Sequence, residues 1–191
     1  MKKFPIVCVG GSAGGLEAYI KLLQLIPAGL GISIVIVNHM THQPSTLHHT
    51  LQKYTMTPVE LITQNLRLAP NHIFVIPHNS DLHILNGRFR LSPKSKRIGW
   101  PNVITLFLSS LARCWEGLLV VVIVSGLDGD GADALDEVKK SGGIVMVQLP
   151  DSAGWSDMPE SAIRTGNVDY VMSLEDIASN IIRIVSTYLK I

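Results

Sequence analysis

The sequence predicts an α/β fold: a doubly wound, mainly parallel sheet with helices on both faces and an antiparallel hairpin, a Rossmann-like single domain over 1–191. Three observations carry that prediction. Apolar runs of strand length alternate with stretches of helical periodicity, the order of successive βα units. The runs are continuously apolar and rich in β-branched residues, as strands covered on both faces must be. One Asn-Gly pair, Asn86-Gly87, separates two short strand-like segments, a strong hairpin signal.

In chain order, Pro5 to Val9 reads as a first buried strand. Leu16 to Ile26 carries Leu16, Tyr19, Ile20, Leu22, Leu23 and Ile26 at helical spacing. Ile32 to Val37 is a second strand, and a helix is expected from about Pro44 to Tyr54, with proline at an early helical position. His72–Ile76, Asp81–Leu85 and Arg88–Leu91 are short strands, the last two joined by Asn86-Gly87, so an antiparallel excursion interrupts the alternation. Ser92 to Trp100 is polar and basic and reads as a surface loop. The alternation then resumes with a helix from Asn102 to Cys114, the most apolar strand Leu118–Val124, and a helix Ala132–Lys140. A strand Gly143–Val147, a helix Pro159–Arg164, a strand Val168–Met172 and a final helix Leu174–Leu189 complete the chain.

Composition narrows the function. Of 191 residues 47% are hydrophobic and 16% charged, enough for a sizeable core and against disorder. Sixteen Lys+Arg against fifteen Asp+Glu leave a net charge of +1, without the basic excess that nucleic acid or an anionic membrane calls for. Cys8 and Cys114 lie far apart beside apolar segments and read as buried thiols in a reducing cytoplasm. The basic start runs through a short apolar stretch into Gly10-Gly11-Ser12 without a cleavage site, so it reads as a strand and not a signal peptide. Leu118–Val124, the longest apolar run, falls far short of the ~20 residues that cross a bilayer. A cytoplasmic protein with no membrane insertion is the expectation.

In parallel sheets reactive groups collect at the carboxyl ends of strands. Three such loops stand out. Gly10-Gly11-Ser12-Ala13-Gly14-Gly15 fails as a P-loop, because Leu16 follows where lysine is needed. It also fails as a dinucleotide loop, because Ser12 takes the middle glycine position and Asn38-His39 stands where an acid is needed. It fits G-x-S-x-G, a serine exposed on a tight strand-to-helix turn. A glycine-rich turn whose Ser12 caps the next helix fits it equally well. The second loop carries Asn38-His39-Met40; His39 ends a strong strand, and histidine is the usual base for a serine nucleophile. His42, His48 and His49 follow, with no cysteine or carboxylate at ligand spacing, so no metal is assigned. The third loop, Ser125-Gly126-Leu127-Asp128-Gly129-Asp130-Gly131, sets two acids among three glycines. One acid can orient the histidine as a third triad member, or cap the helix that follows. Serine, histidine and aspartate behind three strands of one sheet point to acyl transfer. Their order, Ser…His…Asp, is not that of the α/β-hydrolases.

Together with Leu68-Ala69-Pro70-Asn71-His72-Ile73-Phe74-Val75-Ile76-Pro77 and Met158-Pro159-Glu160-Ser161-Ala162-Ile163, these loops resemble the catalytic domain of CheB, the chemotaxis protein-glutamate methylesterase. Ser12 to Ala18 looks most like the esterase module fused to methyltransferases. The resemblance implies hydrolysis of γ-glutamyl methyl esters on chemoreceptor cytoplasmic helices to glutamate and methanol, and for some members glutamine deamidation, with no cofactor. It implies Ser12 as nucleophile, His39 as general base and Asp130 as the residue that orients it. For that chemistry the backbone N–H groups after Ser12, at Ala13, and near Leu127 are the candidate oxyanion donors. Gly11, Gly14, Met40, Gly126, Asp128 and Met158 belong to the surrounding loops.

Three departures from the family pattern bear on this. Ala13 replaces the hydroxyl residue that often follows the nucleophile. Asp128 replaces a usual glycine and is expected to raise the pKa of His39. The family's receiver domain would precede residue 1, so the expectation is an esterase without that switch: constitutive, regulated by a separate response-regulator or methyltransferase chain, or a fragment of a longer product, with methylated receptor or a similar protein as substrate. The alternative is a CheB-like partner-binding module that has lost activity, which Ala13 and Asp128 suit and the retention of Ser12, His39 and Asp130 opposes.

Overall fold

The computed structural model describes residues 3–39, 46–95 and 102–190. Ile6–Gly11 (β1) is buried at every position. Its side chains alternate between two cores, as the period of two in a strand requires. Ile6 and Cys8 join one apolar cluster, while Val7 and Val9 join the other. Ser33–Asn38 (β2) pairs with β1 on one side and Leu119–Ile123 (β7) pairs with it on the other, both parallel. Val59–Leu61 (β3), His72–Val75 (β4), Ile144–Gln148 (β8) and Tyr170–Met172 (β9) complete a seven-stranded sheet in the order β3-β4-β2-β1-β7-β8-β9. All its pairings are parallel. From β1 the chain passes to β2, out to the edge at β3 and back to β4 between them, then returns to start again at β7. The strand order thus reverses at β1 and β7, the place where such sheets open a crevice.

One face is covered by Gly15–Leu25 (α1), Leu47–Gln52 (α2) and Leu174–Leu189 (α6), whose Tyr19, Leu22, Leu51, Ile177, Ile181 and Val185 join the Val7–Val9 core. Ser173 starts α6 by accepting a hydrogen bond from the Asp176 N–H at 3.1 Å, a cap that contributes about 1 kcal/mol. The other face is covered by Val103–Cys114 (α3), Leu135–Lys140 (α4) and Asp157–Arg164 (α5). On α3 the buried residues Val103, Ile104, Phe107, Leu108 and Leu111 repeat at three- and four-residue spacing, an amphipathic stripe.

The separate hairpin, Ser80–Leu85 (β5) with Arg88–Pro93 (β6), turns through Asn86 and Gly87, both at positive φ. It is fastened to α3 by Ser110, whose hydroxyl accepts from the Ile84 N–H at 2.8 Å and donates to the Ile84 carbonyl at 3.1 Å. Phe89 fills the space between, against Phe74 of the sheet and Phe107 of α3.

The fold class and the hairpin agree with the sequence reading. Several details differ. β3 was not expected: it has three half-buried residues and no run long enough to register. The hairpin's second strand continues through Ser92 and Pro93, opposite Asp81 and Ser80, where the loop was expected to begin. Pro93 stands at the last position of β6, at the end of a two-stranded ladder, where a missing N–H is tolerated. The remainder of that loop, from Lys96 to Trp100, lies outside the described residues, as does the Pro44 start expected for α2. The expected helix Ala132–Lys140 opens as a 3-10 turn, Ala132–Ala134, before α4. Cys8 is buried but Cys114 is exposed, because α3 ends there and the chain leaves its apolar stripe.

Candidate active site

Each of the three loops leaves one of the three central strands. β1 ends at Gly11, opposite Asn38 of β2, so Ser12 and His39 are the next positions on neighbouring parallel strands, whose backbones lie about 5 Å apart. The ladder continues past both: the His39 N–H donates to the Gly11 carbonyl at 3.3 Å, and the Ser12 N–H donates to the Ser125 carbonyl beyond β7 at 2.9 Å. The turn closes when the Gly15 N–H donates to the Ser12 carbonyl at 3.0 Å. Gly14 makes the turn at φ +73, and a Cβ there would lie 2.5 Å from the Ser125 hydroxyl, so only glycine fits. The Ser125 hydroxyl donates to the Ala13 carbonyl at 2.6 Å and accepts from the Trp155 N–H at 2.9 Å. It thereby ties the serine turn to the segment before α5.

Asp130 is fixed from below. Its two oxygens accept the N–H groups of Ile104 at 2.8 Å and Thr105 at 2.9 Å, in the first turn of α3. Those N–H groups lack partners within the helix, and a carboxylate there also meets the positive end of the helix dipole. Thr105 reciprocates by accepting the Gly131 N–H at 2.8 Å. So anchored, Asp130 Oδ2 lies 2.5 Å from His39 Nε2, with only 1% of the Asp130 side chain exposed. Asp128 Oδ2 lies 2.8 Å from His39 Nδ1, and Asp128 Oδ1 accepts the Asp130 N–H at 2.9 Å. Both acids of the third loop therefore reach the same imidazole.

Burial works against charge on His39, but hydrogen bonds to Asp128 and Asp130 and the attraction of both carboxylates outweigh it. They raise its pKa from 6.5 to about 9. Asp128 is pulled the opposite way. Burial would raise its pKa, but the bonds from His39 and the Asp130 N–H hold it below the ordinary carboxylate value.

The structure thus joins His39 to Asp130 and sets Ser12 on the adjoining strand end. The Ser12 hydroxyl makes no hydrogen bond to His39, whose two ring nitrogens face the carboxylates. Nucleophile–base contacts are often open in unliganded enzymes and tighten with substrate. The N–H groups of Ala13 and Leu127 have no acceptor among the described residues. That of Gly126 is spent on the Trp155 carbonyl at 3.2 Å. Met158 packs directly on Gly126, where a Cβ would lie 2.6 Å from its methyl. Met40 lies outside the described residues. Cys8, buried within β1, takes no part; burial pushes its thiol well above the usual range, so it stays protonated.

Sequence reasoning missed the supports. Thr105 and Ser125 both hold site loops, yet read as an ordinary helix residue and a strand-end residue. Tyr19, read as a helix-face residue, sends its hydroxyl to Asn38 Oδ1 at 3.1 Å, beside His39. Its single signal was a tyrosine, with a polar tip, in an otherwise aliphatic stripe.

Comparison with known proteins gives a consistent set. The sequence profile of the CheB methylesterase family matches residues 7–181. A Leptospira interrogans (strain Fiocruz L1-130) protein, provisionally named protein-glutamate methylesterase/protein-glutamine glutaminase, is 32% identical over 184 residues, 95% of each chain. Protein-glutamate methylesterase/protein-glutamine glutaminase 2 of Shewanella sp. (strain MR-4) is 30% identical over 182 residues, 93% of this chain and 52% of that one. The chain therefore spans about half the length of the Shewanella relative. The crystal structure of the Thermotoga maritima CheB methylesterase catalytic domain superposes with a TM-score of 0.86 at 26% identity, covering 95% of this chain and 99% of that one.

Proposed function

The chain belongs to the CheB methylesterase family, and on that footing we propose that Ser12, His39 and Asp130 hydrolyse γ-glutamyl methyl esters on a protein substrate. The observation that carries the residue assignment is the 2.5 Å contact of His39 Nε2 with an Asp130 braced by the first turn of α3, one strand from Ser12. With Nε2 held by Asp130, Nδ1 is the nitrogen that takes the serine proton.

The chemistry is a two-step acyl transfer. Ser12 Oγ attacks the ester carbonyl as His39 accepts its proton. The N–H groups of Ala13 and Leu127 are the donors nearest in sequence to the nucleophile and to the third loop, and they stabilise the developing oxyanion. The tetrahedral intermediate collapses, His39 returns the proton to the leaving methoxide, and methanol departs. Water, deprotonated by His39, then releases the glutamate carboxylate. A glutamine side chain passes through the same steps with ammonia leaving, the second activity in the relatives' names. No step calls for a metal or organic cofactor.

The substrate we infer is the methylated cytoplasmic helical domain of a chemoreceptor, met in the cytoplasm. Among the described residues no helix is long and apolar enough to cross a membrane. A response-regulator or methyltransferase chain is the partner we propose for its control. Methanol release from methylated receptor fragments tests the function. Wild type should turn over, and Ser12→Ala should lose several orders of magnitude in kcat. Near-normal release by Ser12→Ala would end the assignment of the nucleophile.

A further inference from the structure

An ionised carboxylate oxygen only accepts hydrogen bonds. His39 presents Nε2 to Asp130 at 2.5 Å and Nδ1 to Asp128 at 2.8 Å, so both ring nitrogens carry protons. Such a ring has no lone pair for the proton of Ser12. The two carboxylates are not equivalent. Asp130 is locked by the N–H groups of Ile104 and Thr105. Apart from the imidazole, Asp128 is held only within its own loop, by the Asp130 N–H at 2.9 Å. Removing Asp128 takes the acceptor from the Asp130 N–H but leaves the Ile104 and Thr105 bonds that fix the Asp130 carboxylate on Nε2, and it frees Nδ1.

We propose that Asp128 is a positioning residue that holds the resting site closed, occupying the imidazole nitrogen that must accept the Ser12 proton. The proposal rests on the esterase reading above and adds its control: turnover begins when Asp128 leaves Nδ1. Alkaline pH opens the clamp by removing the second ring proton, after which Asp128 and a neutral Nδ1 no longer attract.

Among the described residues the charged groups that meet the ring are Asp128 and Asp130, both from the loop after β7. The first turn of α3 offers only backbone N–H groups, and the end of β1 offers Ser12. From α1 the neighbour is Tyr19, through Asn38, and burial pushes its phenol far above its ordinary value, so it stays neutral.

The test uses the full chain as wild type, Asp128→Gly and Asp128→Asn. The His39 ring is titrated by NMR, and kcat/KM for methanol release is followed over the same pH range. The wild-type ring should titrate near pH 9 and the rate should rise on the same limb. In Asp128→Gly both midpoints should fall by a unit or more. Release near neutral pH should then rise roughly tenfold, with the curves converging above the wild-type midpoint. Asp128→Asn, which keeps an acceptor but not the charge, should move both in the same direction by less. Active variants whose pH limb stays at the wild-type position overturn the clamp alone. So do variants that are slower than wild type at every pH. Absence of methanol from every form at every pH overturns the esterase reading, and the clamp with it.

Discussion

Protonated His39 is bound by two carboxylates in the fold and by none in the unfolded chain, which makes it a stability switch as well as a base. Its folded pKa, about 9, lies above the ordinary 6.5. Its contribution is therefore fully present below about pH 6.5 and is lost as pH climbs through about 9, on the order of 3 kcal/mol in all. Asp128, lowered in the fold, contributes above its ordinary value and loses that contribution as pH falls through the depressed one. Urea unfolding across this range should show wild-type stability declining on the alkaline side, and Asp128→Asn should show a shallower decline. A flat wild-type profile would mean the imidazole is not held by both acids. Asp130 carries a different load. Asp130→Ala strands the N–H groups of Ile104 and Thr105 and should cost about 1–3 kcal/mol in stability besides most of the turnover. Calorimetry beside the methanol assay checks both losses at once. At this scale the sequence was legible in kind but not in contact. Two acids among glycines announced a site, yet nothing in their spacing says that both reach one ring. That depends on α3 presenting its first turn beneath them.

Among the elements, the serine turn is the one with least tolerance. Gly14 stands at φ +73 with the Ser125 hydroxyl where a Cβ would go, 2.5 Å away. Gly14→Ala should cost roughly 1–3 kcal/mol and displace Ser12, so thermal melting and kcat should fall together. The equivalent change at Gly29, also at positive φ but with open space around it, carries only the backbone cost and should leave kcat unchanged. Strands and long helices were readable because burial imposes their periods. The Asn86-Gly87 turn was readable because positive φ selects its residues. β3 was not, since Val59–Leu61 is a short strand that exists only because β4 offers it an edge. The split of the expected helix at Ala134 was also hidden, because helical periodicity does not distinguish a 3-10 entry from an α-helix.

For the whole molecule, the reversal of strand order at β1 and β7 brings three distant loops to one crevice. Continuously apolar strands implied a parallel sheet, but strand order is a matter of crossovers and helix packing that no local pattern encodes. The placement of β4 between β3 and β2 is such a case. Hydrogen exchange should rank the sheet from its centre outward. β1, β2 and β7, buried and flanked on both sides, should exchange slowest, and β9 and the hairpin earliest. Central strands that open with the edges would show that the two cores fail as one unit. The central claim is that Ser12 and His39 act together. The most direct measurement is methanol release by Ser12→Ala, His39→Ala and the double variant, compared with wild type. Residues of one catalytic unit give losses that do not multiply, so the double variant should be no slower than Ser12→Ala alone. Losses that multiply, or a His39→Ala enzyme near the wild-type rate, would contradict it.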